Sequence, residues 1–205
     1  SKNNLDLEKI LSCIRQRKTH NNIMRSGIGV GGYCLTKDPL FAKAATKQIF
    51  NNNLNFPFSS KAVEINKNMT FDVMTEIKNR FNKKILGKRV LLLGVSYRED
   101  TNDTRYSPAE GVFKFLNKMR CKVSFYDPIV NYWEYTKNYS IEKKYLNNFD
   151  VYIYLIGHQI FKRLEIRYKR KSLILDLNHV LQKKIKLKIL NNKNYTSFFI
   201  GSKQS

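Results

Sequence analysis

The sequence predicts an α/β protein: a helical first part over residues 1–84, then a doubly wound parallel sheet over residues 85–205. Three observations carry this. Before Gly87, apolar residues recur at intervals of three and four, the helical period. Just beyond it, Lys88-Arg-Val-Leu-Leu-Leu-Gly94 is a short apolar run closed by glycine, as in a strand buried on both faces. From there to the end, short apolar runs alternate with helical stretches, which argues for parallel strands joined by helices.

Element by element, Leu5 to Arg17 reads as a helix with Leu7, Ile10, Leu11 and Ile14 on one face. A glycine-dense segment follows, after which Asp38-Pro39 opens a helix through Phe41, Ala44, Ala45 and Ile49. Asn51 to Asn55 is a polar break. A long helix then starts near Ser59 or Ser60, either of which can cap it. Its stripe is Ala62, Ile65, Met69, Val73, Ile77 and Phe81, over roughly 30–35 Å. A helix of that length bridges two domains, lines a dimer interface over residues 59–82, or is an ordinary core helix. Beyond the first strand, Ser107 to Met119 reads as helix and Cys121 to Tyr126 as strand. A helical stretch around Ile141 to Leu146 precedes a strand from Asp150 to Ile156. A short helix from His158 and strands at Ser172 to Leu177 and Thr196 to Ile200 complete the set. Lys183 to Lys188 alternates basic and apolar residues after its first lysine, as a half-exposed strand does.

With 205 residues and 42% hydrophobic content, the chain can bury one good core plus an appended element. The stretch Ser1 to Lys9 is polar and mixed in charge, unlike a signal peptide. No apolar run approaches the roughly 20 residues needed to span a bilayer. Cys13, Cys34 and Cys121 form no C-x-x-C pair and are odd in number, which suits a reducing cytoplasm. The three histidines lie far apart, with no metal-ligand spacing. A net charge of +22 suggests nucleic acid or anionic lipid at first sight. Yet the lysines are spread along the chain among Asn, Ile, Tyr and Phe, the mixture an AT-rich gene encodes. Solvated surface lysine is the favoured reading, so neither nucleic acid nor membrane is expected as a partner.

The densest chemistry lies in Gly27-Ile-Gly-Val-Gly-Gly-Tyr-Cys34-Leu-Thr-Lys-Asp38-Pro39. Glycines let the main chain pass close to a ligand and adopt dihedrals that a Cβ forbids. A cysteine delivered by such a loop can be a nucleophile, and Asp38 can polarise a water or begin a helix. Gly27, Gly29 and Gly32 also satisfy G-x-G-x-x-G, but that fingerprint needs a strand directly upstream. His20 to Ser26 has no buried-strand character, so a dinucleotide loop is excluded here. Taken by itself, a cysteine after glycines is more often inert than catalytic.

A second motif, Gly94-Val-Ser-Tyr97-Arg98-Glu-Asp100-Thr-Asn-Asp103-Thr-Arg105-Tyr-Ser107-Pro108, lies far downstream. Weaker signals follow at Tyr126-Asp127-Pro128, at Asp150 through His158 and Phe161, and at Asp176 through Leu181. In this order and spacing the chain resembles the later part of the UDP-glucose/GDP-mannose dehydrogenase family. That family's motifs read roughly G-x-G-x-G-G-x-C-x-x-x-D and G-x-x-Y/F-K…D-x-R-x-S-P.

The resemblance implies the end of a helical central (dimerisation) domain followed by a Rossmann-like UDP-sugar-binding domain. It implies oxidation of a sugar C6 alcohol to a carboxylate by two NAD⁺ in succession, in the making of surface-polysaccharide precursors. Cys34 would be the nucleophile, capturing the aldehyde as a thiohemiacetal and then a thioester, and Asp38 would orient the hydrolytic water. Arg25, Ser26, Gly27, Ile28, Gly29, Val30 and Gly31 match the stretch that wraps the substrate, joined by Tyr97 and Arg98. Cys34, Leu35, Thr36, Lys37 and Arg105 match cofactor-touching positions. Asp103 offers Arg105 a competing role as a structural ion pair at a helix start.

There are departures. Arg98 stands where the family usually has Lys, a fork in place of a point charge. Asp176-Leu-Asn178-His179 stands where the family often carries an Arg that helps hold the nucleotide. The family's NAD-binding Rossmann domain and its catalytic lysine and asparagine have no counterpart before Cys34. The chain then reads as a C-terminal part of a longer or split enzyme, inactive alone and a homodimer or higher homo-oligomer. The alternatives are a non-catalytic nucleotide-sugar-binding or dimerisation module working with a partner chain, and, third, a basic nucleic-acid-binding protein.

Overall fold

A computed structural model describes residues 5–201; the first four residues of the polar N-terminal stretch lie outside them. Helix α1 (Leu7–Ile14) is capped by Asp6, whose side chain accepts the Lys9 N–H. It is shorter than expected, and Leu7, Ile10 and Ile14 stay exposed. A 3₁₀ turn at Asp38–Leu40 leads into α2 (Phe41–Gln48), so Asp38-Pro39 opens a tight turn before the helix proper. Helix α3 (Pro57–Ile85) starts at Pro57, ahead of the expected serine caps, and kinks at Phe81. Its buried face holds Thr70, Met74, Ile77 and Ile85; of the expected stripe, Ala62 and Ile65 are exposed. The face turned inward at the helix start is a polar one, which grips the glycine loop.

Strand β1 (Arg89–Leu93) follows, then α4 (Pro108–Lys118), β2 (Lys122–Tyr126), a small hairpin β3 (Tyr132–Trp133) and β4 (Asn138–Tyr139), β5 (Val151–Tyr154), β6 (Leu173–Asp176), α5 (Lys183–Leu190) and β7 (Thr196–Phe199). The main sheet runs β2-β1-β5-β6-β7 and is parallel throughout, with Val90 beside Val123 on one side and Val151 on the other. Pleating divides β1 between two cores. Val90 and Leu92 join Met74, Ile77, Val112 and Leu116 beneath α3 and α4. Leu91 and Leu93 join Tyr152, Tyr154, Ile174 and Ile189 on the α5 side. Helices on both faces make the sheet doubly wound, as expected.

Three expectations need correction. Lys183–Leu190 is a helix, not a strand. Parallel neighbours β6 and β7 need a crossover, and Lys and Leu are good helix formers; the helix buries Ile189, with Ile185 one turn before it partly covered. The stretch 141–146 forms only a 3₁₀ turn at Lys143–Tyr145, and that after His158 only one at Gln159–Arg163. The hairpin β3–β4 went unforeseen: its strands are two residues long, too short for a period to show. No helix among the described residues is long and apolar enough to cross a membrane.

The chain leaves β1 for β2 on one side and later adds β5 on the other. The carboxyl ends of β1 and β5 therefore flank a topological switch point, where open α/β sheets hold ligands.

Candidate functional site

The floor of this crevice is a buried polar network. Asp127, just past β2, and His158, past β5, are fully buried and meet at 3.1 Å through His158 Nε2. Asp127 also accepts main-chain N–H groups from Val95 at 2.8 Å and from Ile129 and Val130 at 3.0 Å each. The Asp100 N–H donates to His158 Nδ1 at 3.0 Å, which leaves the ring proton on Nε2, facing Asp127. Burial pushes the Asp127 carboxyl up, but His158 and the backbone donors outweigh it and hold the group below its usual range. This network shapes the turn from which Tyr97 and Arg98 project.

The glycine loop lies across the carboxyl ends of the strands. At Gly27 the main chain lies against the side-chain oxygen of Asn178, just past β6, which an added Cβ would displace. At the far end Gly32, at φ +88°, lies flat on Tyr97, whose ring carbons would stand 2.9 Å from an added Cβ. The Gly32 contact needs glycine, and together the two stretch the loop from β6 to β1.

Within residues 24–33 no main-chain group bonds another; side chains fix the loop's shape. Thr70 Oγ1 donates to the Ile28 carbonyl at 3.0 Å. Asn66 pairs with Val30 in both directions, accepting its N–H at 2.7 Å and donating to its carbonyl at 2.8 Å. Thr36 Oγ1 donates to the Gly32 carbonyl at 2.8 Å. At the loop's start Glu8 Oε1 accepts the Ser26 hydroxyl at 3.0 Å and its N–H at 3.3 Å, and His179 Nε2 lies 3.0 Å from the same hydroxyl.

Cys34 is exposed on the turn that follows, its carbonyl accepting the N–H groups of Lys37 and Asp38. Asp38 is paired with Lys37 Nζ at 2.7 Å. That ammonium also sits 4.3 Å from the ring centres of Tyr33 and Phe41. The hydrogen bond that Lys37 donates to Asp38 raises the Lys37 pKa, and Tyr33 and Cys34 add to the effect. Leu35 is exposed, and Arg25 reaches the surface. Tyr97 is half-buried, and the exposed Arg98 guanidinium lies 5.9 Å from its ring centre. Arg105 is held by Asp103 side chain to side chain, Nε to Oδ1 at 3.0 Å and a terminal nitrogen to Oδ2 at 2.7 Å, and its main-chain N–H also donates to Oδ1 at 2.9 Å. The competing structural pair is therefore present, although the Arg105 guanidinium also lies 5.6 Å from the ring centre of Tyr33, beside Cys34.

Sequence reasoning missed Tyr33, Asn66, Thr70 and Glu8. Only their positions against the loop reveal them. The weak Asp176-to-Leu181 signal did hold information: Asn178 and His179 meet the start of the glycine loop.

A side-chain-held glycine loop laid over the switch point of a doubly wound sheet, with an exposed cysteine at its end, defines a class by its fold: doubly wound α/β proteins, which hold ligands at the carboxyl ends of their strands. The comparisons narrow the class. Residues 1–68 match the UDP-glucose/GDP-mannose dehydrogenase family, central domain, and residues 91–183 match the same family's UDP binding domain. The chain belongs to the UDP-glucose/GDP-mannose dehydrogenase family. It is 32% identical to a UDP-N-acetyl-D-mannosamine dehydrogenase of Methanococcus aeolicus over 85% of this chain and 37% of that protein. Against a UDP-N-acetyl-D-glucosamine 6-dehydrogenase of Salmonella typhi, identity is 30% over 87% of this chain and 43% of the other. The chain thus spans less than half the length of these relatives. An NDP-N-acetyl-D-galactosaminuronic acid dehydrogenase from Methanosarcina mazei shares the fold, with a TM-score of 0.78 and 22% identity over 98% of this chain and 45% of that one.

His179 makes the site's stability sensitive to pH. Burial lowers its pKa from 6.5; Lys186 and Arg25 lower it further, against Glu8 and Asp176. The unfolded chain then binds the proton more readily than the folded one. Stability should be complete above about pH 6.5 and fall as pH drops through the depressed value. Denaturant titrations between pH 7.5 and 5 check this; His179→Asn should flatten that part of the profile.

Proposed function

We propose that this chain supplies the thiol and nucleotide-sugar part of an NAD-dependent UDP-sugar 6-dehydrogenase, which turns the sugar C6 alcohol into a carboxylate. The observation that carries the reading is Cys34, exposed at the end of a glycine loop that lies over the switch point and against Tyr97. NAD⁺, when bound, accepts the hydrides. The face formed by Cys34 and Leu35 is open and fits a cofactor, with Lys37 beside it. Thr36 shapes the turn, and the fork of Arg105 is occupied by Asp103.

Cys34 adds through Sγ to the carbonyl carbon of the aldehyde, giving a thiohemiacetal. Loss of the second hydride leaves a thioester, which water hydrolyses, returning the thiol and releasing the uronic acid. Asp38 orients that water once the substrate draws Lys37 away from it. Arg98 faces the diphosphate, and Tyr97 packs against the loop and the sugar. A reducing cytoplasm keeps the thiol free.

A second reading, a nucleotide-sugar-binding and dimerisation module completed by a partner chain, is favoured by the outer face of α3. There Phe58 is 90% exposed, with Ile65, two turns on along the same face, also open to solvent. In either reading a second copy of the chain covers that face.

Titration with UDP and with nucleic acid at near-physiological ionic strength tests the proposal. UDP should bind, and Arg98→Ala should weaken it by about 1.5–3 kcal/mol, the scale of one hydrogen bond to a charged group. Nucleic acid should bind weakly and lose affinity steeply with salt. Tight, salt-resistant RNA or DNA binding with no UDP binding would overturn the assignment.

A further inference from the structure

Among the described residues the loop from Met24 to Tyr33 makes no main-chain hydrogen bond to another main-chain group, yet two of its glycines hold open dihedrals, φ +133° at Gly29 and +88° at Gly32. Glycine gives such a segment many conformations, and nothing in its own backbone selects one. Selection has to come from outside. Two fastenings stand out because each holds more than one group. Asn66 engages both main-chain groups of Val30, as a neighbouring strand would. Glu8 engages both the N–H and the hydroxyl of Ser26, while His179 closes on the same hydroxyl and lies 3.2 Å from Glu8.

The second fastening also joins distant parts of the chain. Glu8 comes from α1, Ser26 from the loop and His179 from the turn after β6. The Leu7 N–H donates to the Gly201 carbonyl at 2.9 Å nearby, closing the same seam. His179 itself adopts a left-handed φ of +54°, a conformation a non-glycine residue keeps only when its surroundings enforce it.

We infer that Glu8 and Asn66 are positioning residues that impose the substrate-wrapping shape of the glycine loop, and that Ser26 belongs to this clamp and not to the substrate contacts. Resting on the functional reading above, the inference adds two residues to that machinery and changes the role of a third. Both donors of Ser26 are engaged within the protein, so they present nothing to a sugar. The groups left for a ligand are main-chain N–H groups of the glycines, whose directions depend on the clamp.

Hydrogen exchange on the 205-residue chain, with and without UDP-N-acetylglucosamine, tests this. In the free chain, Glu8→Ala and Asn66→Ala should each speed exchange across residues 24–34 by about tenfold or more. Strands β1 and β5 should keep wild-type protection. Asn66→Asp, which keeps the acceptor for Val30 N–H and loses the donor, should fall between. Each alanine variant should weaken the UDP-sugar about tenfold while UDP itself changes less than about twofold, because the loop wraps the sugar. Adding Ser26→Ala to Glu8→Ala should cost no further affinity, since both remove one fastening. Unchanged exchange over 24–34, or equal acceleration throughout the sheet, would overturn the inference. So would additive losses from Ser26 and Glu8, the mark of a direct Ser26 contact. If the wild type binds neither ligand, the functional reading fails, and the exchange data from the free chain still decide the clamp.

Discussion

In the dehydrogenase proposed above, replacing Cys34 with serine is expected to cut uronic acid formation by about 10³-fold or more while leaving UDP-sugar binding intact. The proposed chemistry asks two things of this atom: to attack an aldehyde at neutral pH and to leave from an acyl carbon. A hydroxyl does both poorly. Binding should survive because the groups proposed to hold substrate, the loop backbone with Tyr97 and Arg98, are untouched. Cys34 is exposed and fills no core position, so the protein should melt as the wild type does. Acid production by the serine variant near the wild-type rate would remove Cys34 from the mechanism.

The largest stability effect is expected at Asp127. Asp127→Ala leaves fully buried His158 Nε2 with only the longer 3.3 Å contact to Ser96 Oγ and strips the Val95, Ile129 and Val130 N–H groups of their acceptor. Each buried donor left without a partner costs about 1–3 kcal/mol, so losing several at once is expected to cost a few kcal/mol. Guanidinium or urea unfolding measures this directly. Asp127→Asn, which keeps the shape and one acceptor, should lose less. The wild type carries the matching pH signature. Because the folded Asp127 pKa lies below its ordinary 3.8, its contribution is present above that pH and is lost progressively below it. A loss under about 1 kcal/mol in the alanine variant would mean the network is decorative.

The doubly wound sheet was legible because buried parallel strands leave a plain mark: Val90 to Leu93 can be little else. The thiol loop stood out for a different reason: a cysteine behind glycines is by itself more often inert, and only the second motif, far downstream in the order the family has it, gave the segment a meaning. Other features hid where the deciding partner is distant in sequence. Lys183 to Leu190 alternates like a strand, and only the crossover between β6 and β7 makes it helical. The inner face of α3 misled for a similar reason. Its start turns Asn66 and Thr70 inward to hold a loop, so counting apolar residues selected Ile65, which faces water. Asp127 and His158 sat in weak motifs whose meaning, one buried contact between two strand ends, appears only when the sheet brings them together. Arg105 and Asp103 lie two residues apart, and their pairing was foreseeable from that alone.

The order of the sheet also bears on how the chain is made. Strand β1 is an interior strand, yet its two neighbours come later in the sequence: β2 after α4, and β5 only after the β3–β4 hairpin. A ribosome delivering residues in order therefore releases Val90 to Leu93 long before Val151 to Tyr154 exist to cover the second edge. During that interval a fully apolar strand has one side open, the condition under which nascent chains pair with one another. The polar, lysine-rich sequence around it, with Lys83, Lys84, Lys88 and Arg89 at its threshold, surrounds the waiting strand with like charge that holds other copies away.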